Sequence, residues 1–294
     1  MVGLRMKKML LLMAVALCWG SLPVCAADWA GLADRAVFLS ARDAGLLESK
    51  PDKTLGDLYQ LTIHYYRHYD HDRLVALFEE TKDQYPADSE ARVLEAIILM
   101  RDHRHAQSRA VLDRVLARKP DFHPAKIVLA HLLYLQKDFE GAYGIARELL
   151  ADRNELSTYH HLVSLLIAAG ARGILAKRKP LTAIGAYFEV TGYFRRARRL
   201  LPESAEYLYG QGSYYLLTPR VAGGDLELAV ELLERSRRLT PRNAPVYVRL
   251  AQAYRAGGDQ EACKHYLAAA ARIDPNDELL LDDQSGAKAF LDVP

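Results

Sequence analysis

The chain has ten histidines, and five of them, His64, His68, His71, His103 and His105, fall between positions 64 and 105. Imidazoles beside Asp70, Asp72 and Asp102 are donors that zinc or copper takes. Their spacing matches no strict metal motif, and polar turn residues account for them. No metal site and no cofactor is therefore expected. A second cluster is basic: Arg172, Lys177, Arg178, Lys179, Arg195, Arg196, Arg198 and Arg199, with Glu189 the only acid within 172–201. The plain reading is a solvated face; the sharper one is contact with anionic lipid headgroups or an acidic partner. The run Gly223-Gly224-Asp225 has the look of a phosphate loop but lacks the lysine and the preceding strand. Glycines for a turn and Asp225 as a helix cap explain it. There is no Ser-His-Asp order, no HExxH and no carboxylate pair in a sensible context, so an enzyme is not expected.

The elements that must position these groups begin after a leader. Arg5, Lys7 and Lys8 precede the apolar run 9–19, and Pro23-Val24-Cys25-Ala26-Ala27 follows it. That is the plan of a secretory signal peptide covering 1–26, and the run is short for a membrane span. Lipoprotein processing at Cys25, giving an outer-membrane anchor, is the rival, but Val24 stands where a small residue belongs. The expected location is the periplasm. The chain has 39 basic and 37 acidic residues. Three of the basic ones lie in the leader, leaving 36 against 37 and no case for nucleic acid. Cys18 and Cys25 also lie there, so Cys263 remains alone, without a disulfide partner and in a position that suits packing.

The clearest pattern spans 243–275. Counted from Ala244, Tyr247, Leu250, Ala251 and Tyr254 fall at 4, 7, 8 and 11, Cys263, Leu267 and Ala270 at 20, 24 and 27, and Pro275 at 32. Small residues at 8, 20 and 27 let two helices approach, and large ones fill the space between. This spacing resembles the tetratricopeptide repeat (TPR), a helix–turn–helix unit of 34 residues. Pro86 to Pro120 and Pro241 to Pro275 are each 34 residues, and Asp70, Asp138, Asp225 and Asp259 recur where the second helix of a pair would be capped. The resemblance implies an all-α TPR solenoid over 55–277, about six helix pairs. A helical segment at 27–54 and a cap or tail at 278–294 flank it. All five histidines except His64 then sit at the turn edge of two consecutive repeats.

Two surpluses break the register. Pro120 to Pro202 is 82 residues, 14 more than two repeats, and Pro202 to Pro241 is 39. They are expected as enlarged turns at 170–185 and 217–225, between the helices of their pairs. Insertions in repeats mark loops on one face, often the working one.

The segment 214–241, YYLLTPRVAGGDLELAVELLERSRRLTP, resembles more narrowly the TPR proteins associated with TRAP transporters, the T component. The stretch ADRAVFLSARD at 33–43 is weakly similar to that family's opening helix. The resemblance implies an exported, ring-shaped homotrimer with ligand clefts that partners a TRAP solute-binding protein. Val24 and the basic stretch 172–179 depart from that family's pattern.

In TPR domains, fixed positions of each first helix line a concave groove. Applied here, that rule gives Tyr59, Ile63, Tyr66, Val93, Ile97, Met100, Ile127, His131, Tyr134, Leu135, His161, Leu165, Tyr209, Leu216 and Leu217, with Arg67 and Arg101 only at the rim and Arg255 in the last repeat. Peptide-clamping TPRs present Lys, Arg and Asn here; this lining is apolar and aromatic. Something must cover it. The cover is either a helix of the same chain or tight winding, or else a hydrophobic small molecule or partner helix. Arg172, Lys177, Arg178, Lys179, Pro219, Gly223, Gly224 and Asp225 are the expected partner-facing residues. The leading function is a T-component-like binding protein for an apolar or amphipathic solute. The alternative is an adaptor that assembles envelope proteins without a small ligand.

Overall fold

The computed structural model describes residues 28–87, 89–151 and 156–286. The leader with Cys25, and the part of the expected tail after 286, lie outside the described residues. The fold is all-α. Two short helices open it, α1 (Trp29–Val37) and α2 (Ala41–Glu48). Six pairs follow: α3 (Leu55–Arg67) with α4 (His71–Thr81), α5 (Val93–Arg101) with α6 (His105–Arg118), and α7 (His123–Leu135) with α8 (Phe139–Ala151). Then come α9 (Thr158–Arg178) with α10 (Ala183–Leu200), α11 (Ala205–Leu217) with α12 (Leu226–Leu239), and α13 (Ala244–Ala256) with α14 (Gln260–Ile273). Helix α15 (Glu278–Ser285) closes the described chain.

The repeat pattern is borne out in the packing. Ala96, Ala130 and Ala251, all at position 8, are fully buried, and so are Ser108 and Ala142 at position 20, with Cys263 almost so. These small residues bring paired backbones close enough for Ser108 Oγ to donate to the Ala96 carbonyl at 2.7 Å. Asp138, Asp225 and Asp259 accept from Gly141, Leu228 and Ala262 nitrogens at 2.9–3.0 Å, each cap contributing about 1 kcal/mol. Asp70 stands at the same position but makes no cap bond; its carboxylate takes Arg242 at 3.2 Å instead.

Two boundaries differ from expectation. The segment 28–47 reads as one helix but is two, because Ser40 accepts from the Asp43 nitrogen and starts a new helix after Phe38 and Leu39. The expected enlarged turn at 170–185 is mostly helix: α9 runs unbroken through Gly170 and Gly173 to Arg178, and only 179–182 turns. The 14-residue surplus therefore lengthens α9 to 21 residues and α10 to 18. Gly170 is there for close packing. A Cβ on it would stand 3.1 Å from the Tyr134 hydroxyl and 3.2 Å from its ring. The surplus at 217–225 is a loop, with a short 3-10 turn at Arg220–Ala222 and Gly223 at φ 94°. Among the described residues α9 alone has the length and apolarity of a membrane span, and 56% of that window is buried in the array.

The array winds until its ends meet. Asp70 reaches Arg242, His103 reaches Asp274 and Glu278, and Lys137 reaches Asp282 at 2.6 Å.

Candidate functional site

The concave face divides in two. Its first half is filled by α1. Leu32, Ala33 and Ala36 pack against Tyr59, Ile63 and Tyr159, and the Trp29 ring meets Tyr59 edge-on at 4.9 Å. Tyr59 Oη lies 2.7 Å from His160 Nε2, and burial pulls that imidazole down to about 3, so it is neutral. Arg67 ends this region. It donates to the last carbonyl of α1, Val37 O, at 3.0 Å and pairs with Glu206 at 2.7 Å. A cation at a helix C-terminus is favourably placed.

Beyond Arg67 the face stays open, as a cavity of about 610 Å³. One side is apolar: Leu166, Ile167 and Ile174 of α9, with Ala186, Val190 and Phe194 of α10. Tyr66, Tyr69, Tyr134, Tyr209, His131 and Arg101 supply polar groups. Tyr66 Oη lies 2.7 Å from His131 Nδ1. Burial, helped by Arg101 and His105, pulls His131 down to about 4, so this imidazole is also neutral. Burial pushes all four phenols up, which keeps them as neutral donors.

Arg101 brings a positive charge to the cavity, which Lys177, Arg249 and the Arg67–Glu206 pair also line. The Arg101 guanidinium lies 4.7 Å from the Tyr66 ring centroid and 3.9 Å from that of Tyr69, and it donates to the Tyr66 carbonyl at 3.3 Å. It makes no ion pair with a carboxylate among the described residues, whereas Arg67 is matched by Glu206. An apolar wall, neutral donors and a cation without a counter-charge suit an amphipathic molecule with an acidic end.

Of the groove residues expected from sequence, the cavity gathers Tyr66, His131, Tyr134 and Tyr209, with Leu217. Tyr59 and Ile63 are covered by α1. Ile97, Met100, Ile127, Leu165 and Leu216 are core residues and do not line it. The reason is tight winding. Seven of the nine residues of α5 are buried, so its groove side is enclosed by neighbouring repeats.

Of the expected partner-facing residues, Lys177 and Pro219 stand at the cavity. Arg172 is matched by Glu189 at 3.0 Å, Lys179 by Glu140 at 3.7 Å, and Arg178 lies over the Phe139 ring. Gly223, Gly224 and Asp225 build the loop that carries Pro219. A Cβ on Gly224 would fall 1.8 Å from Thr218 O, and Asp225 caps α12. Sequence reasoning missed the α10 wall. Its signal was present in Ala186, Val190 and Phe194, spaced four apart on one helical face.

A family model described as tetratricopeptide repeat matches residues 99–166 and 220–282. A thermophilic TPR protein of Thermus thermophilus is 18% identical, over 66% of this chain and 96% of that one, with a TM-score of 0.53. A TPR protein of Parabacteroides merdae is 14% identical over 90% and 99%, with a TM-score of 0.49. PilW, described as a widely conserved type IV pilus biogenesis factor, is 16% identical over 79% and 99%, with a TM-score of 0.47. No curated protein matches the chain. The chain carries tetratricopeptide repeats over those two stretches, and its helix pairs build an all-α TPR-like solenoid. The family match leaves out 167–219, the stretch that supplies Ile167, Ile174, Ala186, Val190 and Phe194 of the cavity's apolar wall.

Proposed function

We propose that this TPR protein is an exported, periplasmic carrier of the TRAP T-component kind. It holds an amphipathic solute with an acidic end in the cavity and docks a transporter's solute-binding protein. The observation that carries the reading is the 610 Å³ cavity with an apolar wall and Arg101 unmatched by any carboxylate among the described residues. The apolar chain of the solute lies along α9 and α10. Its carboxylate meets Arg101, with the Tyr66, Tyr69, Tyr134 and Tyr209 phenols as neutral donors. Docking uses Leu181, Ile184, Phe188 and Val221, all more than two-thirds exposed and next in sequence to, or one residue removed from, the cavity-lining Ala183, Tyr187 and Ala222. These exposed apolar side chains also support the second reading, an adaptor that binds protein partners alone.

A fluorescent long-chain fatty acid and its neutral methyl ester separate the two. The carrier reading expects saturable binding of one acid per chain. Arg101→Met should weaken the acid by about tenfold, the loss of one charge-assisted hydrogen bond, and leave the ester unchanged. Gly173→Phe, at a cavity position where a Cβ meets nothing within 4 Å, should block both probes with the fold intact. Absence of binding to either probe would sink the carrier reading and leave the adaptor.

A further inference from the structure

The seam where the array closes on itself holds a cluster that the cavity does not use. His103 follows α5 at φ 58°, in the left-handed region, and Arg104 N donates to Leu99 O at 2.8 Å. That turn ends α5 and sets His103 two residues ahead of His105, the first residue of α6. Glu278, the first residue of α15, comes from the other end of the chain. His103 Nδ1 lies 2.9 Å from Glu278 Oε1, and His105 Nε2 lies 3.0 Å from the same oxygen. The three donor atoms all fall within 4.8 Å of one another.

We propose that His103, His105 and Glu278 form a zinc-class transition-metal site that clasps α15 to the second repeat. Two imidazoles and a carboxylate are a donor set that Zn²⁺ takes with a fourth position left for water. Zinc–ligand bonds of about 2.0–2.1 Å put neighbouring donors roughly 3.3 Å apart, so small side-chain shifts suffice to seat the ion. His103 Nε2 faces Asp274 at 3.2–3.3 Å. This is the carboxylate that a ligating histidine has behind it: it holds the N–H on Nε2 and leaves the Nδ1 lone pair for the metal. Asp274 is a positioning residue here. A crevice of about 750 Å³, lined also by Asp102 and Arg242, reaches the His103–Asp274 side of the cluster.

The clasp joins groups 175 residues apart. Tyr69 and Arg101 line both this crevice and the ligand cavity, so the metal fixes the seam directly behind the cavity's cationic end. The site does not depend on which solute, if any, the cavity takes.

The test uses the full chain, stripped with a chelator and dialysed. Titration with Zn²⁺ alone in a calorimeter should show one ion per chain, bound more tightly than about 10 µM. Co²⁺ should give the visible absorption of a tetrahedral site. His105→Gln and Glu278→Gln should each weaken Zn²⁺ by tenfold or more, and Asp274→Asn by about 10- to 100-fold. Helical circular dichroism checks that each variant is folded. Zn²⁺ should also raise the thermal midpoint of the wild type and not that of the two ligand variants. Less than one ion per chain, or binding unchanged in both ligand variants, overturns the proposal.

Discussion

The docking of α1 can be tested through His160. This imidazole is buried under α1 with Tyr59 Oη at 2.7 Å, and its value is pulled down from the ordinary 6.5 to about 3 by burial first and by His123 second. The folded value lies below the unfolded one. The stabilisation is therefore complete above about pH 6.5 and is lost as pH falls toward about 3. Between about pH 7.5 and about pH 5 the folded group stays neutral while the unfolded one takes up a proton. The loss over that window is then about 2 kcal/mol, at roughly 1.4 kcal/mol per unit below 6.5. It depends only on the folded value lying well under 5. His103 is raised by Glu278 and Asp274 against an opposing burial effect, and burial raises Asp277 to about 7. Both bend the pH curve the other way, so the whole-protein slope is uninformative and a variant is needed. His160→Gln retains an amide for Tyr59 and removes the titration. Urea unfolding of wild type and variant, followed by helical circular dichroism and by Trp29 emission, gives the difference directly. The wild type should lose about 2 kcal/mol more than His160→Gln across the window. Parallel curves would refute the reasoning, because they would mean that His160 is as solvated in the fold as in the unfolded chain.

Other positions give sharp expectations. Gly173→Ala adds a Cβ in open space within α9 and should stabilise by about 0.5–1 kcal/mol, read as a higher thermal midpoint. Gly224→Ala forces a Cβ against Thr218 O and should destabilise by about 1–3 kcal/mol, with the loop 217–225 displaced in hydrogen exchange. Ile97→Trp, in the core and not in the cavity, should cost about 1–3 kcal/mol through overpacking; a variant as stable as wild type would place Ile97 in open space. Glu206→Gln leaves the half-buried Arg67 without its carboxylate and should cost about 1–3 kcal/mol in urea unfolding.

What the sequence determined by itself was local and periodic. The 34-residue spacing, the small residues at positions 8 and 20, and the capping aspartates are each set by contacts within one helix pair. Six pairs and Asp138, Asp225 and Asp259 as caps follow from them. The cavity, its wall and the seam depend instead on groups far apart in the chain. Gly170 and Gly173 look like a turn until Tyr134, from the preceding repeat, is seen lying against Gly170. Ile97 and Ile127 fit a groove rule, yet the winding of the array buries them, and winding accumulates over all the repeats. Arg101 reads as a rim residue in the repeat pattern and instead lies against the Tyr66 and Tyr69 rings at the cavity. His103 and His105 carried no metal spacing, because their third donor, Glu278, arrives only when the superhelix closes across more than 170 positions of sequence. A repeat specifies its nearest neighbours, and the sum of small rotations between neighbours decides which distant surfaces meet.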